Sequence, residues 1–106
     1  MNRNVLITGG SAGLGKALIN DFSSTHNITN LSRRSVANTD NINIDLNDLD
    51  SLFETLQSKT IKFDLCILNA GSLGQIKKAH DISYLDFQKS LNINIISNKI
   101  IIDWAI

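Results

Sequence analysis

The chain has 106 residues, enough for one small domain with a core but with only a modest fraction of its surface buried. Its ten basic and ten acidic residues balance, which gives no electrostatic reason to expect nucleic acid or an anionic membrane as partner. A single cysteine excludes an internal disulfide, no apolar run reaches the length of a membrane span, and "MNRNVLITGG" enters a strand without the apolar core of a signal peptide. The expectation is a cytoplasmic domain.

The first element is "NVLIT" (4–8), a short β-branched apolar run of the kind that forms a buried parallel strand. From Leu14 onward, Leu14, Ala17, Leu18 and Phe22 recur at helical spacing. The stretch between them, "ITGGSAGLGKA", reads in two ways. Gly10, Gly15 and Lys16 have the spacing of a phosphate loop, G-x-x-x-x-G-K, which needs Ser or Thr next to ligate the magnesium of its nucleotide. Ala17 stands there instead, and no strand supplies the acidic magnesium ligand. Gly9, Gly13 and Gly15 form T-G-x-x-x-G-x-G, a dinucleotide-binding turn between a strand and a helix. Glycine lets a pyrophosphate approach the main chain, and the helix offers unpaired N–H groups and the positive end of its dipole. On the glycines alone, an ordinary glycine-rich turn reads equally well.

"HNITNLS" (26–32) reads as the second strand and "NINIDL" (41–46) as the third, after a polar connection. Asn47 or Asp48 then caps a helix whose Leu49, Leu52, Phe53 and Leu56 make one apolar stripe. "FDLCILNAG" (63–71) is the fourth strand, ending in a glycine turn, and the polar loop "SLGQIKKAHD" follows. Ser83 with Asp86 three residues on forms a capping box for a long last helix. Strands alternating with helices or crossovers imply an α/β fold: a Rossmann-type doubly wound parallel sheet of four strands, order 3-2-1-4. Ligands of such sheets bind at the strands' C-terminal ends, which sets the Gly-rich turn and the "NAG" turn on one rim.

Four motifs in this order resemble the short-chain dehydrogenase/reductase family. "TGGSAGLG" from Thr8 to Gly15 is similar to its cofactor turn, and "LNAG" from Leu68 to Gly71 to its motif after the fourth strand. "IDL" puts Asp45 and Leu46 where the family contacts the adenine, and "FQKSLNINII" puts Asn94 at its catalytic-tetrad asparagine. The resemblance implies that Gly9, Ser11, Gly13, Leu14 and Gly15 border the pyrophosphate. Asn69 and Thr8 brace the neighbouring strands, Ala70 and Gly71 leave room for the adenosine ribose, and Asn94 stabilises a helix kink and holds a relay water.

An NAD-selective site needs an acid at the end of the second strand for the ribose hydroxyls. Here Ser32 holds that position and Arg33 and Arg34 follow, a pairing suited to a 2′-phosphate. NADP(H) is therefore the preferred cofactor, with NAD(H) as the alternative, although Ala12 stands where many NADP-using members carry a second basic residue.

The family's proton is moved by a tyrosine with a lysine four residues on, assisted by a serine upstream. The only tyrosine here is Tyr84, its fourth neighbour is Gln88, and it precedes Asn94 rather than following it. The expectation is the cofactor-binding half of an oxidoreductase acting on a carbonyl or alcohol, occupying 1–106 as a fragment or a truncated product. A non-catalytic dinucleotide-binding or regulatory module is the alternative. Cys66 reads as a buried inert thiol, and His26 and His80 lack partners at metal-ligand spacing. Leu91, Ile95 and Ile102 share one side of the last helix while Ile93, Ile96, Ile100 and Trp104 spread around the rest. That surplus, with the open apolar edge of the fourth strand, predicts a homo-oligomer through the C-terminal helix.

Overall fold

In the computed structural model, which describes residues 3–71 and 78–105, strand β1 (Asn4–Thr8) is covered on both faces. Val5 and Ile7 meet Ile19 and Ile28 on one side, and Leu6 lies among Leu31, Ile42, Leu52 and Ile101 on the other. The run is apolar without alternation because neither face sees water. Strands β2 (Asn27–Ser32) and β4 (Leu65–Leu68) flank β1, and β3 (Asp40–Asn43) lies outside β2. All pairs are parallel, giving the order β3-β2-β1-β4 of a Rossmann-like α/β sheet. Helix α1 (Gly13–Phe22) supplies Ile19 to the first face. Helices α2 (Leu49–Gln57) and α4 (Ser97–Ala105) supply Leu52, Leu56 and Ile101 to the second, and α3 (Tyr84–Leu91) precedes α4.

Several boundaries differ from the sequence reading, each for a reason of pairing or capping. β2 begins at Asn27 rather than residue 26, and α1 begins at Gly13 rather than Leu14. β3 stops short of 41–46 because its partner ends at Ser32, whose carbonyl accepts the last ladder bond from Ile44 at 3.1 Å. The chain then turns about Asp45, whose carboxylate accepts the Asn47 N–H at 2.9 Å. Ile44 and Leu46 still bury in the core. β4 stops at Leu68 because β1 stops at Thr8, its register partner. Of the two candidate caps of α2, Asp48 is the one that accepts, from the Ser51 N–H at 3.2 Å.

Cys66 corrects an expectation: its side chain is exposed, not buried. Among the described strands β4 pairs only with β1, and its outer side stands open, with Leu65 46% exposed. The burial that remains raises the thiol's pKa from its ordinary value.

The last helix is not one unbroken element. Ser83 caps α3 through the Asp86 N–H at 3.1 Å, a π-helical turn follows at Asn92–Ile96, and α4 resumes at Ser97. A π turn shifts the residues that face inward. Ile101 is fully buried, Ile93, Ile100 and Trp104 pack at the core's margin, and Ile95, Ile96 and Ile102 stay exposed. Trp104 meets the Phe63 ring edge-on at 5.3 Å and donates its indole N–H to the Lys59 carbonyl at 3.1 Å, fastening α4 to the loop before β4. Of the polar loop 72–81, residues 72–77 lie outside the described residues; the rest holds a short 3₁₀ turn, Ala79–Asp81.

Candidate functional site

At the rim where the strands end, a cleft of ≈ 620 Å³ opens between the turn after β1 and the segments that follow β2, β3 and β4. Gly9, Ser11 and Gly13 line it from the first turn, and Ser32, Arg33 and Arg34 from the end of β2. Asp45 and Leu46 line it after β3, and Asn69, Ala70 and Gly71 after β4. Three residues singled out by motif stand apart. Leu14 is 67% exposed on the first turn of α1, Gly15 is buried behind the turn, and Asn94 is exposed in the π turn.

The first turn is shaped by close approach. Gly9 has φ +69° and lies against Ala70: a Cβ there would stand 2.9 Å from the Ala70 Cα. Its conformation and its neighbour both require glycine. Gly15 answers to packing alone, since a Cβ would overlap the Gly9 carbonyl and stand 2.7 Å from the Asn69 amide nitrogen. The buried Thr8 hydroxyl accepts the Ala70 N–H at 3.0 Å, and the Asn69 side-chain amide donates to the Gly9 carbonyl at 3.3 Å. These two bonds tie the turn after β1 to the turn after β4. Ala12, at the N-cap of α1, makes no side-chain cap, and the first turn holds no acidic residue. The leading N–H groups of α1 are thus left for an anion.

The basic side of the cleft has its own framework. Ser32 is buried at the rim, but its hydroxyl donates to the Arg34 carbonyl at 2.7 Å and accepts from the Asn30 side-chain amide at 2.9 Å. Ser32 therefore shapes the loop that carries the two arginines, which are themselves exposed and reach the cleft. Lys89 and Ile93 line the cleft from the facing side, and Asn94, outside the lining, has its Oδ1 where a Gly71 Cβ would meet it at 3.2 Å.

The motifs assign no role to Lys89, Ile93 or Asn30. Lys89 and Ile93 are one helical turn apart, so their joint approach is visible in the sequence only once the helix is known to cross this rim. Asn30 carries a clearer signal: it sits two residues after Ile28, where a strand buried on both faces calls for an apolar side chain. Neither histidine borders the cleft; His80 contacts Asp81 at 3.4 Å on the surface and His26 stacks near Phe22 at 5.7 Å. Among the described residues no three of His, Cys, Asp and Glu come together as a metal site.

The arrangement suits an elongated anion. Donors and arginines gather on one side, a carboxylate and small apolar residues on the other, and a Cβ at Gly9 or Gly15 would force apart the turn that shapes the first side. No family model matches the sequence, and no curated protein matches it either. Solved structures do. The fold is similar to that of a short chain dehydrogenase family protein from Francisella tularensis subsp. tularensis SCHU S4, at TM-score 0.83 and 31% identity over 98% of this chain and 45% of that one. A serine dehydrogenase from Escherichia coli has TM-score 0.77 at 23% identity, with coverage of 95% and 53%. A 4-hydroxyisoleucine dehydrogenase complexed with NADH has TM-score 0.78 at 24% identity, with coverage of 96% and 47%. The chain thus spans about half the length of these solved structures.

Proposed function

We propose, from a chain that resembles the short-chain dehydrogenase/reductase family in motif order and in fold, that the cleft binds a nicotinamide dinucleotide. The chain then acts as the cofactor-binding part of an oxidoreductase, which moves a hydride between the nicotinamide and a small-molecule carbonyl or alcohol. When bound, the dinucleotide supplies the hydride donor or acceptor. Ser11, Gly13 and the uncapped start of α1 receive the pyrophosphate, with Gly9, Leu14 and Gly15 forming the turn. Asp45 and Leu46 contact the adenine, Ala70 and Gly71 flank the ribose, Asn69 holds the turn, and Asn94 serves the proton relay. The neighbour complexed with NADH makes a nicotinamide dinucleotide the natural ligand class to test.

The observation that carries the cofactor preference is the position of Arg33 and Arg34, which follow β2 directly and line the same cleft as the uncapped α1. A guanidinium pairs with a 2′-phosphate, and a charge-assisted hydrogen bond contributes about 1.5–3 kcal/mol. NADP(H) is therefore preferred over NAD(H). Titration of NADPH and NADH into wild type and Arg33→Ala tests this. The expected loss is about ten- to a hundredfold for NADPH with NADH unchanged, and equal wild-type affinities overturn it.

A second reading is a dinucleotide-binding module without catalysis. It draws on Tyr84, the only tyrosine, which is 80% exposed and has Gln88 rather than lysine four residues on. On either reading the purified 106 residues should show no substrate-dependent NADPH oxidation, and measurable turnover would reveal a catalytic group among them. The exposed Ile95, Ile96 and Ile102 support self-association through the C-terminal helix. Sedimentation of wild type against Ile95→Asp tests that: the variant should shift toward monomer, and a wild type already monomeric at micromolar concentration rules it out.

A further inference from the structure

Among the described residues Asn30 is the one fully buried side-chain amide, and both its polar atoms are used. Its Oδ1 accepts the Gly10 N–H at 3.1 Å, inside the first turn. Its Nδ2 lies 2.9 Å from the Ser32 hydroxyl, 3.2 Å from the Arg34 carbonyl and 3.1 Å from the Asn41 Oδ1. One end of a single side chain thus holds the glycine turn and the other holds the loop bearing Arg33 and Arg34. Asn41, its register partner on β3, carries the framework onward. It accepts from the Val36 N–H at 2.9 Å and donates to the Val36 and Thr39 carbonyls at 3.1 and 3.3 Å. Around Asn30 the neighbours are Ile7, its partner on β1, and the Ile19 side chain, which with Asn30 crowds the space a Gly10 Cβ would need. An amide in that apolar setting is costly unless satisfied on all sides.

The geometry points to Asn30 as a positioning residue for cofactor choice: it fixes the spacing between the donors of the glycine turn and the basic loop, with Asn41 as its outer brace. This rests on the reading of the cleft as a dinucleotide site with a 2′-phosphate contact. It assigns the discrimination to a residue that touches neither phosphate. Arg33 provides the charge; Asn30 determines where that charge stands.

Two variants separate the ends of the side chain. Asn30→Asp keeps an acceptor for the Gly10 N–H but removes the Nδ2 donor, so the basic loop loses its hold while the turn keeps its own. Asn41→Ala removes the outer brace at an exposed position. The probes are 2′,5′-ADP and ADP, titrated calorimetrically into the full chain, together with amide exchange at Val36. For a neutral hydrogen bond the expected fall in the 2′,5′-ADP to ADP affinity ratio is about three- to tenfold in the uncharged Asn41→Ala, and larger in Asn30→Asp, whose carboxylate by itself opposes a 2′-phosphate. Val36 exchange should quicken in Asn30→Asp. A purely structural loss lowers the folded fraction for both nucleotides alike and leaves the ratio where it was. If wild type prefers 2′,5′-ADP and Asn41→Ala keeps that preference in full, the Asn30–Asn41 framework does not position the loop. If wild type shows no preference, the 2′-phosphate reading fails instead, and Val36 decides the positioning role: unchanged exchange in Asn30→Asp overturns it. Should Asn30→Asp not fold, Asn41→Ala alone carries the ratio measurement.

Discussion

The Ala70 N–H donates to the Thr8 hydroxyl at 3.0 Å across 62 residues of chain, and Thr8 is fully buried. This bond closes the ladder where β1 and β4 both end, and it holds the two turns of the cleft side by side. Thr8→Val keeps the shape but leaves that N–H without its acceptor, so unfolding free energy should fall by about 1–3 kcal/mol. Thr8→Ser retains the hydroxyl and loses only a methyl, about 0.8 kcal/mol. Urea denaturation of both variants checks the order, and a Val variant more stable than the Ser variant would reject it.

Ser32 offers a way to reverse the proposed cofactor preference. Its hydroxyl donates to the Arg34 carbonyl, a bond that a carboxylate cannot make, and a negative charge there opposes a 2′-phosphate while suiting ribose hydroxyls. Ser32→Asp should lower NADPH affinity at least about tenfold, the equivalent of one lost charge-assisted contact. NADH binding should hold or improve. Fluorescence titration with both reduced cofactors reads this directly, and parallel losses for the two would count against it.

The π turn makes a prediction about two adjacent isoleucines. Ile101 is fully buried and Ile102 is 39% exposed. Ile101→Ala should therefore cost about 2–5 kcal/mol, the range for a buried aliphatic truncation, and Ile102→Ala under about 1 kcal/mol in the monomer. Equal costs would mean that α4 sits in another register on the sheet.

Cys66 should be easy to reach and slow to react at neutral pH. The thiolate is the nucleophile, and partial burial raises the pKa by disfavouring that charged form. The folded chain therefore holds less thiolate than the unfolded chain at any pH near 8, the usual thiol range. Alkylation rates measured against pH, folded and in denaturant, should show the folded profile displaced toward higher pH. A folded profile displaced the other way would show an unrecognised positive neighbour.

What the sequence disclosed followed from how local each feature is. β1 was legible to its last residue because its apolar run and the glycines after it mark both ends. The shortened β3 and β4 were not, because their ends depend on where the neighbouring strand stops, a matter of register between distant residues. The turns after β1 and β4 carry motif spacing and end strands of one parallel sheet, so the Gly-rich turn and the NAG turn fall on one rim from the sequence alone, while Asp45 is reached only through the family resemblance. Lys89 and Ile93 reach that rim only because α3 and the π turn dock across it. Asn30 stands out in the sequence only as a polar residue in a strand that should be apolar on both faces, and what its amide holds depends on partners in β1, β3 and the loop after β2.

β1 is first in the chain but lies inside the sheet, and this bears on synthesis. Asn4 is 23 residues from its β2 neighbour Asn27 and 60 from Asp64, which receives its N–H just before β4. Growing from its N-terminus, the chain can join β1, β2 and β3 through short closures while the other side of β1 still waits for a partner. An unpaired strand edge is a template for wrong pairing. Between the completion of β3 and the arrival of β4 the central strand of the nascent sheet is thus itself an edge open to mispairing. In refolding followed by pulsed amide exchange, the β1–β4 ladder should gain protection last.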